Sequence, residues 1–88
     1  MFKIGKVINY YEKIGIVIIE LSGNLTVGDE IKIYKDGQEV LFQKIDKILI
    51  NQKSVDFASS KDVVALHLNE KVQKGSEVYR KGQLGVRS

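Results

Sequence analysis

The sequence predicts an all-β fold, a small closed β-barrel of six or seven antiparallel strands. Three observations carry this reading. Runs rich in Val, Ile and Tyr recur along the chain, several with period-two alternation, which suits pleated, half-buried strands. Turn-forming residues interrupt these runs at short intervals, as in small all-β domains. At 88 residues, an open sheet would leave two long unpaired edges, and closure into a barrel removes them. The length suits one domain with one modest core, placed over residues 1–81, with a flexible tail over residues 82–88.

The elements follow in chain order. Lys3 to Tyr11 carries Ile4, Val7, Ile8, Tyr10 and Tyr11 and reads as a strand with an early irregularity at Gly5. Glu12-Lys13 is a polar break. Ile14 to Leu21 contains the run Ile14-Gly15-Ile16-Val17-Ile18-Ile19; it reads as the central strand, buried on both faces. Ser22-Gly23-Asn24 is a turn. Asp29 to Lys35 alternates, with Ile31 and Ile33 on one face and Glu30, Lys32 and Tyr34 on the other. Asp36-Gly37 then gives a strong short hairpin signal, because both residue types tolerate the positive φ of a tight turn.

Glu39 to Ile50 carries two signals. Leu41, Ile45, Ile48 and Leu49 fall at helical spacing among good helix formers, whereas Val40, Phe42 and Ile48-Leu49-Ile50 favour a strand. The extended reading is preferred because a hairpin turn directly precedes the segment and, in part, because of the family resemblance described below. It demands a β-bulge between Phe42 and Ile45 and an interruption near Asp46-Lys47. Lys53 to Phe57 reads as a short strand with Val55 and Phe57 on one side. A polar turn follows through Ser60-Lys61-Asp62. Val63 to Leu68 places Val64, Leu66 and Leu68 inward and His67 outward, and Glu77 to Lys81 is the last strand.

Composition excludes several chemistries. With no Cys there is no disulfide scaffold, thiolate zinc site, iron–sulfur cluster or thiol nucleophile. His67 is the single histidine and cannot build a histidine metal cluster alone. No cofactor and no metal are expected. No leader peptide is patterned at the start, and the apolar run stops at Glu20, far short of a bilayer span, so the expected location is cytoplasmic with no membrane contact.

Lys and Arg total 14 against 11 Asp and Glu, net +3. Only Arg80 and Arg87 are arginines, so any nucleic-acid contact would be weighted toward phosphates rather than base edges. Val27-Gly28-Asp29-Glu30-Ile31 echoes Lys74-Gly75-Ser76-Glu77-Val78. Each reads as a tight turn launching a strand, with Gly supplying positive φ and the oxygen-bearing side chain bonding nearby backbone. Gly23, Gly28, Asp29, Gly37 and Gly75 are therefore assigned as structural turn residues. A phosphate-cradling loop is not supported, since no Gly-x-x-x-x-Gly-Lys-[Ser/Thr] occurs.

The order Gly5-x-Val7, Ile14-Gly15-Ile16-Val17, Leu25-x-Val27-Gly28-Asp29-x-Ile31-x-Ile33, Phe42-Gln43-x-Ile45, Asp62-x-Val64-x-Leu66-x-Leu68 and Gly75-x-x-Val78-Tyr79 resembles the barrel domain that follows the GTPase domain in translation factors such as elongation factor Tu. The likeness runs from about Ile4 to Lys81. It extends to small stand-alone translation elongation factor-like proteins and to a similar barrel attached to some collagenase-like peptidases. The resemblance implies a translation-protein type of barrel without GTP binding, because the nucleotide motifs are missing. Lys61 and Ala65 stand where that family often has Gly, which puts the Ser60-Lys61-Asp62 turn in question.

The resulting expectation is a non-enzymatic binding module associated with translation, RNA or a ribonucleoprotein. The alternatives are a protein–protein adaptor like the barrel fused to collagenase-like peptidases, or a Gar-type barrel subunit of RNA-modifying ribonucleoproteins. Candidate RNA-binding residues are Lys32, Tyr34, Lys44, Lys47 and Lys53: lysines for phosphates and a tyrosine as a stacking platform on one exposed flank. His67 and the scattered carboxylates read as surface groups, with no nucleophile patterned beside them.

Overall fold

The computed structural model describes residues 2–81; the tail assigned to residues 82–88 lies outside them. The described residues contain ten strands and no helix: β1 (Phe2–Tyr11), β2 (Ile16–Leu21), β3 (Leu25–Thr26), β4 (Glu30–Lys35), β5 (Gln38–Lys44), β6 (Ile48–Ile50), β7 (Lys53–Val55), β8 (Phe57–Ala58), β9 (Val63–His67) and β10 (Glu77–Arg80). Eight form one antiparallel sheet in the order β5-β4-β10-β1-β2-β9-β6-β7, and β3 pairs with β8 as a separate ribbon. The all-β class holds, but the expected closed ladder of six or seven strands does not. β5 and β7 are the two ends of an open sheet.

The ladder fails to close because the chain changes neighbours within the segment expected to be a single bulged strand. β5 pairs with β4, and the chain then leaves the ladder over residues 45–47 and re-enters as β6 beside β9. The segment forms no helix despite its helical spacing, and two strands, β5 and β6, stand in place of the single bulged one. The bulge in this region lies at Val40, where the β4–β5 register slips between Ile33↔Leu41 and Tyr34↔Glu39. Ile45 is buried and anchors the crossing.

Alternation places Ile4, Val7, Val17, Ile19, Ile31, Ile33, Val64, Leu66 and Val78 on the inner face, each almost fully buried, and burying a side chain of this size contributes about 1.5–3 kcal/mol. β2 alternates between inner and outer residues and is not buried on both faces, contrary to expectation. Ile14 belongs to the turn before β2 and is 62 % exposed. There the Ile14 and Gly15 N–H groups both donate to Tyr11 O, at 3.2 and 2.9 Å, and Gly15 takes φ +68°. Lys53 to Phe57 likewise splits: Val55 ends β7, and Phe57 in β8 is 53 % exposed while Ala58 is buried. The irregularity at Gly5 is present as a register shift between Lys3 and Gly5 in the β1–β10 pairing. A Cβ at Gly5 would lie 2.8 Å from both Glu20 O and Ile19 Cγ2, so close strand approach requires glycine there.

Three type II-like turns of one design tie the sheet together, two of them the expected echo. In Thr26–Asp29, Ser59–Asp62 and Gln73–Ser76 the fourth residue's N–H donates to the first residue's O at 3.0, 3.0 and 3.1 Å. The third residue has positive φ: Gly28 +102°, Lys61 +79°, Gly75 +90°. Each turn clasps one core residue with two hydrogen bonds. Gly28 N–H donates to Ile45 O, and Ile45 N–H donates to Asp29 O (2.7 and 2.8 Å). Lys61 and Asp62 hold Leu21 in the same way (2.8 and 2.9 Å), and Gly75 and Ser76 hold Val7 (both 2.8 Å). The Asp29 and Asp62 carboxylates accept from the Thr26 and Ser59 N–H groups at 2.8 and 2.9 Å, while Ser76 Oγ donates to Gln73 O at 2.6 Å. The polar side chains thus bond the backbone three residues back.

Candidate functional site: two outer sheet faces

The outer surface of the sheet divides into two unlike halves. The first covers β5, β4, β10 and β1. Register sets Phe42, Lys32, Tyr79 and Lys3 side by side, with Glu39, Tyr34, Glu77 and Lys6 in the next row. Lys32 Nζ lies 3.4 Å from Glu39 Oε1 and 5.4 Å from the Phe42 ring centre, and Lys81 Nζ lies 3.6 Å from Glu30 Oε1 and 6.0 Å from the same ring. Phe42 is 47 % exposed, so two ammonium groups cover an otherwise wet aromatic face. Tyr34 and Tyr79 meet edge to face at 5.3 Å.

Glu77 sits at the centre of this half. It accepts from Tyr79 Oη (3.2 Å) and pairs with Lys3 Nζ (3.2 Å). The hydrogen bond from Lys3, then that from Tyr79, holds the Glu77 carboxyl below its usual range; the same bond to Glu77, then burial, pushes the Tyr79 phenol up. Lys71 is raised by its hydrogen bond and charge pairing with Glu12, 2.7 Å away.

The expected RNA flank is placed only in part on this half. Lys32 and Tyr34 are on β4, and Lys44 ends β5 opposite Glu30. Lys47 is exposed in the crossing segment, and Lys53 belongs to β7 at the other end of the ladder. The structure therefore brings Lys32, Tyr34 and Lys44 onto neighbouring strands and leaves Lys53 on a different part of the sheet. Lys32 is matched by a carboxylate, whereas no carboxylate among the described residues lies within 4 Å of Lys44, Lys47 or Lys53. Phe42, Lys81 and Glu77 were not singled out from sequence, since only the strand register reveals them as neighbours. The turn assignments of Gly28, Gly37 and Gly75 correspond to positive φ, at +102°, +80° and +90°. Gly23 instead packs against Ile4, where an added Cβ would meet Ile4 Cγ2 at 3.2 Å.

The second half covers β2, β9 and β6 and is apolar. Ile18 pairs with Ala65, and Ala65 pairs with Leu49, making one continuous cross-strand row; Ile16 opposite His67 and Val63 opposite Glu20 flank it. Ile16, Ile18, Leu49 and Ala65 are half-buried and stand apart from the inner core, and Val63 is 45 % exposed. The small Ala65 leaves a hollow of about 250 Å³ that Asn51 and Gln52 border. His67 points outward as expected, and its backbone O accepts from Gln43 Nε2 at 2.9 Å. Among the described residues, no group of three His, Asp or Glu side chains is placed to hold a metal ion, and no helix is long and apolar enough to cross a membrane.

The chain is 34 % identical over 77 residues to an uncharacterized protease of Methanocaldococcus jannaschii, covering 88 % of this chain and 19 % of that protein. It is 32 % identical over 78 residues to a collagenase of Porphyromonas gingivalis, covering 88 % and 22 %. The crystal structure of the C-terminal domain of a protein assigned to the U32 peptidases, from Geobacillus thermoleovorans, superposes with a TM-score of 0.84 at 19 % identity, over 92 % of this chain and 93 % of that one. The two share a fold. The selenomethionine form of that domain agrees, with a TM-score of 0.83 and 20 % identity over 90 % of this chain and 99 % of that one. No family model matches. The chain spans about a fifth of the length of the curated relatives it matches.

These findings overturn the translation-factor assignment and, with it, the placement in protein biosynthesis. The relatives are a protease and collagenases, and the shared fold is that of a peptidase C-terminal domain. The physical reason is visible in the clasp turns. Leu25-x-Val27-Gly28-Asp29-x-Ile31, the most specific part of the resemblance, encodes a turn and its flanking core residues, which any small β domain using that turn would share. The collagenase-like branch of the resemblance is the one that stands.

Proposed function

We propose that this chain is a non-catalytic protein-binding module, an adaptor of the kind joined to collagenase-like peptidases. The observation that supports this best is the shape of the similarity. It covers 88 % of this chain but only 19–22 % of the relatives, and the same unit matches an isolated C-terminal domain nearly end to end. A segment that recurs as a self-contained fold beside a much larger remainder acts by contact with that remainder or with what it processes. The sheet offers the means, because one outer half is apolar and carries few charges.

The test is association in trans. The Porphyromonas gingivalis collagenase lacking its 78-residue matching segment is mixed with this chain and analysed by light scattering and calorimetry, with the collagenase's own excised segment as positive control. The reading expects saturable binding by this chain, and no gelatin hydrolysis by the chain alone. Binding by the control segment but not by this chain refutes the adaptor function.

A further inference from the structure

Resting on the adaptor reading, we infer that the outer face of β2, β9 and β6 is the docking surface, and that its occupant is the peptidase domain of a collagenase-like protein. β2 carries the most continuous apolar run in the sequence, a pattern proper to a strand covered on both sides. The described residues cover only one side: Val17, Ile19 and Leu21 are buried, whereas Ile16 and Ile18 face outward. The uncovered side continues without a break from Ile18 through Ala65 to Leu49. Glu20 and His67 are the titratable groups in register with this face on β2 and β9, and Lys6 and Tyr11 of β1 border it opposite Glu20 and Ile16. The first half, by contrast, neutralises itself with three ion pairs. A patch poor in charge at its centre and rimmed by polar groups is the composition of an interface core. The hollow over Ala65, about 250 Å³, accepts an apolar side chain from the partner.

Size decides between a second copy of this chain and a peptidase domain. A stable dimer of independent molecules needs roughly 20–30 residues from each side. The apolar face offers a row of three strands with a few flanking residues. Contacts between domains of one protein are held at high effective concentration and work with smaller, mixed surfaces, so the same contact between separate molecules is weak and is titrated at high micromolar concentration. The four-fifths of each relative lying outside the match provides such a neighbour.

The experiment uses the truncated Porphyromonas gingivalis collagenase as probe, with Ile18→Lys and Val63→Lys on the apolar face and Lys3→Gln on the opposite half. Circular dichroism and a melt first check each variant; Val63, at 45 % exposure, keeps the test open if Ile18→Lys fails to fold. The proposal expects Val63→Lys and a folded Ile18→Lys to bind at least tenfold more weakly, with Lys3→Gln unchanged. Parent-like binding by the folded apolar-face variants overturns the surface assignment while leaving the adaptor reading intact. No binding by the parent chain, with the control segment binding, refutes the adaptor reading itself. A stable dimer of this chain abolished by Val63→Lys makes a second copy the occupant and overturns the peptidase domain.

Discussion

Lys61→Gly should stabilise the protein. Lys61 holds φ +79° at the third position of a clasp turn, the place that Gly28 and Gly75 occupy in the other two. A side chain in the left-handed region costs roughly 1–2 kcal/mol, because Cβ crowds the following carbonyl oxygen. Glycine removes that cost but adds freedom to the unfolded chain, worth about 0.4–1 kcal/mol against the folded state. The net gain is about 0.5–1 kcal/mol. For a chain of 88 residues, with an unfolding entropy of about 2 cal/mol/K per residue, this raises Tm by roughly 3–5 °C. Nothing else of weight is lost. The Lys61 side chain is exposed, and both hydrogen bonds of the turn to Leu21 are backbone bonds that glycine keeps.

The assay is thermal unfolding of four proteins. Lys61→Gly should melt above the parent. Lys61→Ala removes the charge but keeps Cβ, so it should show no comparable gain; an equal rise would mean that the effect is electrostatic. Gly28→Ala is the converse. Beyond its own chain neighbours, an added Cβ there meets no atom within 4 Å, so a loss of about 1 kcal/mol would report backbone strain alone. A Lys61→Gly melting temperature at or below the parent's would refute the equivalence of the three turns.

The remaining predictions concern the sheet itself. Gln52→Gly should raise stability by about 0.5–1 kcal/mol in urea unfolding, since Asn51 and Gln52 form a type I′ hairpin loop with φ of +51° and +68°. Gly5→Ala should lower stability by about 1–3 kcal/mol, because its Cβ would strike Glu20 O and Ile19 Cγ2. Gln43→Leu should cost about 1 kcal/mol in the same measurement, since the Gln43 amide serves both His67 O and Asn69 N–H at 2.9 Å. The Glu77 carboxyl is held below its unfolded value near 4.5, so its contribution is present above that pH and lost as pH falls through the lower folded value. Stability of Glu77→Gln between pH 6 and 2.5 should therefore decline less steeply than that of the parent.

Local turn chemistry decided which parts of this fold could be read in advance. Asp36-Gly37 announced its hairpin because both residue types favour the required φ, and the structure places them at +52° and +80°. The hairpin at Asn51-Gln52 has the same backbone form but carries Gln where Gly is usual, so the break between Ile50 and Lys53 is legible while the tight hairpin that makes it is not. Lys61 hid the third clasp in the same way. The switch of the chain from β4 to β9 over residues 45–47 was illegible for another reason. It depends on Ile45 being gripped by Gly28 and Asp29, a contact between segments far apart in sequence. The charged outer half was visible only as single residues, because Lys32, Phe42 and Lys81 become neighbours through register.

The apolar run of β2 was legible in a different sense: it reported a burial that the described residues do not complete. Exposed ion pairs contribute about 0–1 kcal/mol each, so three of them on one outer half do little to hold the fold. Their value there lies in wetting a surface that would otherwise adhere through Phe42, Tyr34 and Tyr79. The same device could have covered β2 and β9 by placing Lys or Glu at Ile18, Ala65 or Leu49, with no cost to an inner core these residues do not join. That the outer row stays apolar across three strands is therefore not required by folding. It is the feature that a permanently neighbouring domain would explain, and the one that Val63→Lys probes without disturbing the inner core.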